Sequence, residues 1–341
     1  MRSRIVFLAF VCASASTVLP HVARAASSAE CEGTLSLCIN DDTLWPHAGP
    51  ARFVAVGSTE TVASGQLGFG LVSSYLSRPI VIQTPSPGSG GSSQYAVDNE
   101  VNGSFLWSYG ATDRLEFDVV LPVTFGQTGT GLEPITGGPA LKSTAVRDMR
   151  FGLAYALVPH LRVDPDSVAT SPASENSWGL AARFEMSAPT GDQDEFAGER
   201  SGVFIPSVAA DYRGGRWFAG AEVGARIRPT TELLGARVGS QIVTSLGFGY
   251  DILARGLLTA TLEAWALPTL ASQGSGESSA LVPGEWQIAA RTAPVHGGDL
   301  SVQVSGGGGI PFGGGGDSEI TTPRFRFTLG VRWTPMSREK P

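Results

Sequence analysis

Arg324-Phe325-Arg326-Phe327-Thr328-Leu329-Gly330-Val331-Arg332-Trp333 is the stretch that decides the fold. Phe325, Phe327, Leu329, Val331 and Trp333 point one way, and Arg324, Arg326, Thr328, Gly330 and Arg332 point the other. This is the period-two pattern of a strand with two unlike faces. In a soluble sandwich the apolar face would be a core, whereas in a membrane barrel it would face lipid. Alternation alone leaves both readings open.

Working outward, six alternating runs end at Pro79, Pro122, Pro189, Pro229, Pro268 and Pro311. Proline lacks the N–H that a sheet ladder needs, so pairing is expected to stop there. A second run then returns to a short polar turn, making a repeated hairpin. The candidate strands are Gln66 to Arg78, Ala96 to Tyr109, Arg114 to Phe125, Val146 to Leu157, Trp178 to Ala188, Val203 to Tyr212, Arg216 to Arg228, Ser240 to Tyr250, Leu257 to Leu267, Glu285 to Ala293, Leu300 to Ile310 and Arg324 to Thr334.

The turns on one side are short, as at Tyr109 to Arg114 and Tyr212 to Arg216. Connections on the proline side are long and rich in Gly, Ser, Pro and acids, as at Gly126 to Ala145 and Gly306 to Thr322. Pro159 to Ser177 alone is long where a short turn is expected. The pattern predicts an all-β fold: a single antiparallel transmembrane β-barrel of about 12 strands, with short periplasmic turns and long extracellular loops.

Aromatic residues favour the membrane reading. Trp107, Tyr109, Tyr155, Trp178, Tyr212, Trp217, Tyr250 and Trp333 all fall at the turn ends of their strands. Their rings are apolar while their N–H or O–H seeks water, so a belt of them at one level suits a membrane interface. Tyr75, Tyr95, Trp265 and Trp286 are candidates for the opposite rim, although Trp265 shares a face with Glu263.

Residues 1–25 read as a secretory signal peptide: Arg2 and Arg4, an apolar run from Ile5, then Ala23-Arg24-Ala25 as a cleavage site. Cys12 lacks the small residues of a lipoprotein box, so a soluble N-terminus at Ala26 is expected. Residues 26–65 would be an N-terminal segment that either enters the barrel mouth as a plug or lies beneath it in the periplasm. Residues 66–334 would form the barrel and 335–341 a tail. Loss of the leader removes three arginines and no acid, taking the net charge from −7 to about −10, which does not suggest a nucleic-acid partner. Cys31 and Cys38 are expected to form a disulfide in an oxidising export compartment. A metal site would need further ligands, and only His47 is near.

Three motifs carry a resemblance. Ala188-Pro189-Thr190-Gly191-Asp192, Asp113-Arg114-Leu115-Glu116 leading to Leu121-Pro122-Val123, and Asp148-Met149-Arg150-Phe151-Gly152-Leu153 resemble the outer-membrane barrel family named after the meta-pathway of phenol degradation. Similar barrels form the membrane part of some OmpA-type proteins. The likeness runs from about Gln66 to Trp333. It implies a porin-like transporter of roughly twelve strands and supplies no catalytic residues. The chain ends eight residues after Trp333, so the peptidoglycan-binding domain of the OmpA-type layout is not expected.

By alternation, Asp98, Glu100, Glu116, Asp118, Asp148, Arg150, Arg183, Glu185, Asp211, Glu222, Arg226, Glu263, Glu285, Arg291, Arg324, Arg326 and Arg332 face inward. On the lipid face an arginine would cost about 2–4 kcal/mol near the midplane. Such a lining suits a selective pore for small solutes. A passive channel is therefore the expected function, and the alternative is a closed lumen, since Glu116 and Asp118 lie on a strand next to Arg150 and can neutralise it. A closed barrel would act structurally or through its outer loops.

Hydrolytic barrel enzymes rely on histidine as general base. No histidine here falls on a strand beside a serine or aspartate, so an enzyme is not expected. Gly306 to Gly309 and Gly313 to Gly316 lack the Gly-Lys-Ser/Thr of a phosphate loop. Asp192, Asp194 and Glu195 read as a solvated acidic loop, the alternative being a calcium site on the surface. No cofactor is expected, and the oligomeric state is not indicated. The partners expected are outer-membrane lipids, the barrel-assembly machinery during insertion, and small solutes.

Overall fold

The computed structural model describes residues 31, 33–84, 92–159, 177–253, 257–273, 281–292, 300–310 and 320–335. The expected leader with Cys12, most of the Pro159 to Ser177 connection, His160, His296, Pro311, the Gly313 to Gly316 run and residues 336–341 lie outside the described residues.

In chain order the strands are β1 (Leu67–Thr84), β2 (Ser92–Gly110), β3 (Leu115–Thr128), β4 (Ala145–Val146), β5 (Arg150–Val158), β6 (Ser177–Ser187), β7 (Val203–Gly214), β8 (Trp217–Arg226), β9 (Thr231–Leu233), β10 (Ala236–Val238), β11 (Gln241–Asp251), β12 (Thr259–Ala266), β13 (Gly284–Arg291), β14 (Leu300–Gly309) and β15 (Phe325–Trp333). Chain neighbours in the wall pair antiparallel, and β1 pairs with both β2 and β15. The sheet is therefore a closed barrel. Apart from the two-residue β4 and the separate β9–β10 hairpin, twelve strands form the wall among the described residues.

The alternation of β15 is realised in full. Phe325, Phe327, Leu329 and Trp333 are exposed, whereas Arg326, Thr328 and Arg332 are buried. The outward face elsewhere is apolar too, with Leu246, Val223 and Ile288 among its most exposed residues. At the turn end, Trp178 pairs with Tyr212, and the rings of Trp217 and Tyr250 lie 4.3 Å apart. The belt expected there is outward-facing and contiguous over these strands. Gly215, at φ 62°, makes the tight turn between β7 and β8, where an L side chain would be strained.

Two of the prolines do not end their strands. β1 continues past Pro79 to Thr84 because Arg78 adopts φ 54° and the register with β2 shifts between Ser77 and Ile80. The proline is absorbed in an irregularity, as such positions allow. Pro122 pairs within β3 opposite Ser104. Its carbonyl accepts from the Arg147 N–H at 3.1 Å, so its missing donor faces the break between β4 and β5 and no ladder bond is lost.

Residues 34–64 make no wall strand. They begin at the loop end, where Leu35 bridges Leu233 and the Ser36 N–H donates to the Glu232 carbonyl. They end at the turn end, where the Gly65 N–H donates to the Gly110 carbonyl at 2.7 Å. Between these points the segment packs against inward-facing side chains. Leu44, Ala48 and Val54 form one apolar cluster with Val72, Leu106, Val120 and Trp265 of the wall. Burying one such side chain contributes about 1.5–3 kcal/mol. Phe53 and Val56 form another with Phe218, and Ile39 joins Ile80, Val97, Phe196 and Leu233 near the loop end.

Candidate functional site

The inward face of the wall and residues 34–64 together make the site. Strand alternation places Glu100, Glu116, Asp118, Arg150, Arg183, Glu185, Glu222, Arg226, Glu263, Glu285, Arg326 and Arg332 in buried positions. Buried charges are costly unless paired and hydrogen-bonded, and most of the partners here come from the N-terminal segment.

The middle of the lumen is organised on Trp45 and His47. The His47 Nδ1 lies 2.6 Å from Glu185 Oε1 and its Nε2 3.1 Å from Glu222 Oε2. The Trp45 Nε1–H donates to Glu185. Two guanidinium groups lie over its ring, Arg150 at 4.4 Å and Arg226 at 4.9 Å from the centroid, each a cation–π contact. A cavity of about 30 Å³ remains among Leu44, Trp45, Trp265 and their neighbours.

Toward the loop end, Arg147 donates to Glu100 Oε1 at 2.5 Å and to Asp41 Oδ1 at 2.7 Å. Arg326 binds Glu285 through Nε at 2.7 Å and Asp42 through Nη2 at 2.9 Å. The Thr43 hydroxyl donates to Glu285. Toward the turn end, the Thr59 hydroxyl donates to Asp211 at 2.8 Å.

Wall side chains also bind the segment's main chain. Glu263 accepts from the Val54 and Ala55 N–H groups at 2.9 and 2.8 Å, Glu222 from Gly57 at 2.7 Å, and Glu116 from Val62 at 2.6 Å. Arg332 donates to the His47 and Gly49 carbonyls at 2.7 and 3.2 Å, and Arg150 to the Pro46 carbonyl at 3.1 Å. Arg183 reaches the Ser58 carbonyl at 3.4 Å.

Two residues expected in the lumen are placed differently. Arg324 is exposed, because it lies in a bend ahead of β15 where the inward alternation has not begun. Asp98 is half-exposed at the irregularity of β2 and faces Arg78 at 3.5 Å. Arg291, at the turn end of β13, keeps the inward parity of Glu285, Gln287 and Ala289 as expected and donates to the buried Ser301 hydroxyl at 3.5 Å. The neutralisation expected between Arg150 and Glu116 or Asp118 is also redirected. Asp118 meets Arg183 at 3.4 Å, while Arg150 turns to Trp45 and Pro46.

At the outer mouth, the Cys31–Cys38 disulfide is present. The loop holding Asp192 and Glu195 is structural and not merely solvated. Asp192 accepts from the Val146 N–H at 2.8 Å and Glu195 from the Lys142 N–H at 2.7 Å. Asp148 accepts from the Gly191 and Glu199 N–H groups, both at 2.8 Å, and burial pushes its carboxyl up to about 7. No cluster of metal-ligating side chains occurs among the described residues.

His47, Trp45, Asp41 and Asp42 lie outside the strand pattern, and Arg147 falls within the expected strand Val146 to Leu157 on the face opposite Asp148 and Arg150, so alternation gave no reason to single them out. The available signal was the surplus of inward charges, which demands partners, and an unpatterned stretch long enough to cross the barrel. At up to about 3.3 Å per residue, some thirty residues exceed a 25 Å apolar band several times over.

No protein-family model matches the chain, and no curated protein sequence does. Among solved structures the chain is similar to an outer membrane channel from Pseudomonas putida F1, with TM-score 0.53 and 14% identity over 82% of this chain and 99% of that one. This likeness shows the fold, an outer-membrane β-barrel. The NanC porin is more distant, with TM-score 0.45 and 8% identity over 79% of this chain and 99% of that one.

Proposed function

We propose that the chain is an outer-membrane channel for small solutes, held closed by residues 34–64 acting as a displaceable plug. The observation that carries the reading is the His47 bridge between Glu185 and Glu222. It ties the segment to two wall strands by groups that ionise, not by covalent bonds or strand pairing. Membrane residence is supported by the apolar outer face and the aromatic belt. Export through a cleaved leader and the barrel-assembly machinery, and contact with outer-membrane lipids, belong to the same reading. Kinship with the meta-pathway barrels rests on the motifs at Asp113, Asp148 and Ala188.

A non-enzymatic role fits the chemistry of His47, the one histidine among the described residues. Both of its ring nitrogens face carboxylates, so neither is free to take a proton from a serine hydroxyl. A permanently closed structural barrel is the second reading, favoured by the dense packing around Trp45. Planar-bilayer recording separates the two. The wild-type chain is expected to be silent or to open rarely, and the Trp45→Ala/His47→Ala variant to conduct. A folded double variant that stays silent would leave the structural barrel.

A further inference from the structure

We infer that the lumen is built to hold an extended peptide by its main chain, so that short peptides are the solute class of this channel and residues 46–62 occupy the path as an internal peptide. The inference rests on the channel reading above and names its substrate. Its basis is what the wall charges contact. Glu263, Glu222 and Glu116 accept four backbone N–H groups, those of Val54, Ala55, Gly57 and Val62. Arg332, Arg150 and Arg183 donate to four backbone carbonyls, those of Pro46, His47, Gly49 and Ser58.

A lumen closed for its own sake would pair its carboxylates with its guanidinium groups directly. Glu263, Glu116, Arg150 and Arg332 form no ion pair among the described residues, although all four are buried. Their charges are directed at peptide groups. Carboxylate to N–H and guanidinium to C=O are charge-assisted hydrogen bonds, stronger than neutral ones. They also replace the water that a peptide gives up inside the barrel, where an unmade bond would be costly. The contacts read the main chain, which every peptide shares, and so tolerate many sequences. The side-chain anchors at Trp45 and His47 give the internal segment its priority over a peptide in solution.

The contacts are also distributed along the path. They begin beside Trp45, continue past Phe53, and reach Val62, next to the turn end where the Thr61 hydroxyl donates to the Asp113 carbonyl. A peptide held at successive points by bonds of one kind can exchange them stepwise, as conduction through a multi-site pore requires.

The test uses the full chain carrying Trp45→Ala/His47→Ala, which leaves the six wall residues intact. Three probes are added in planar bilayers: an acetylated and amidated peptide of residues 46–62, a scrambled peptide of the same composition, and the first peptide N-methylated at the positions of Val54, Ala55, Gly57 and Val62. Both unmethylated peptides are expected to block conductance at similar concentrations, within about threefold, and the methylated one to need about tenfold more. Equal block by all three, or none by any, in a conducting variant overturns the peptide inference and leaves the channel reading standing. If the variant is silent, the channel reading fails. Binding of the labelled peptides to the same variant in detergent, followed by fluorescence anisotropy, then decides the peptide claim: discrimination against the methylated peptide supports it, and its absence overturns it.

Discussion

Gly220 of β8 and Gly247 of β11 are cross-strand partners, and the Phe53 ring fills the hollow their missing side chains leave. A Cβ on Gly247 would stand 2.6 Å from the ring, and one on Gly220 2.9 Å. The Phe218 ring, 5.4 Å away between centroids, closes the slot. Two glycines facing each other weaken a sheet. Here they admit a side chain from the lumenal segment.

Gly247→Val is therefore expected to expel Phe53 while the barrel still forms. Overpacking of this kind costs about 1–3 kcal/mol, and it falls on the contact between segment and wall. Limited proteolysis of the detergent-solubilised protein should show new cuts within residues 34–64, with heat-modifiable gel migration retained. Gly306→Ala is the control, since a Cβ there meets only Phe325, at 4.0 Å. Cleavage equal to wild type in Gly247→Val would mean that Phe53 does not depend on the hollow.

His47→Ala removes the group between Glu185 and Glu222 and leaves two buried carboxylates facing a void. Breaking a buried ion pair from one side costs about 3–5 kcal/mol. Thermal unfolding should show an earlier loss of tryptophan fluorescence from Trp45, ahead of the loss of strand signal. A single transition at the wild-type temperature would place His47 outside the interactions that hold the segment.

The barrel was legible because period-two alternation, the aromatic belt and loop asymmetry act on every strand, so an error at one leaves the others standing. Pro79 and Pro122 misled because proline forbids a ladder bond only where its N would have donated, and strand neighbours decide that. Arg324 misled by continuing the parity of Arg326 beyond the start of pairing. The segment through the lumen was visible only as a demand. Seventeen inward charges were expected, but no local pattern marks Trp45 or His47 as their partners, because those contacts join residues more than a hundred positions apart.

Leu246 projects outward from the middle of β11 at 65% exposure, whereas Leu270 is exposed beyond the loop end of β12. Leu246→Arg should impair insertion, at a cost of about 2–4 kcal/mol, and Leu270→Arg should not. The folded fraction after refolding into lipid vesicles, read by heat-modifiable migration, checks this. Equal folding of the two variants would contradict the assignment of the apolar face to lipid.

Cys31 and Cys38 join at the outer mouth, so the purified protein should show neither as a free thiol when denatured without reductant. Alkylation and mass analysis of the peptide spanning both residues reports this. Free thiols at both positions would remove the bridge from the native protein.

The central claim is that residues 34–64 lie inside the barrel with their main chain bound to wall carboxylates and guanidinium groups. Amide hydrogen exchange of the wild-type protein in lipid nanodiscs tests it most directly. The amides of Val54, Ala55, Gly57 and Val62 are expected to exchange slowly, on the timescale of the wall strands, because Glu263, Glu222 and Glu116 hold them. Exchange at these positions as fast as in an unstructured peptide would contradict the lumenal placement.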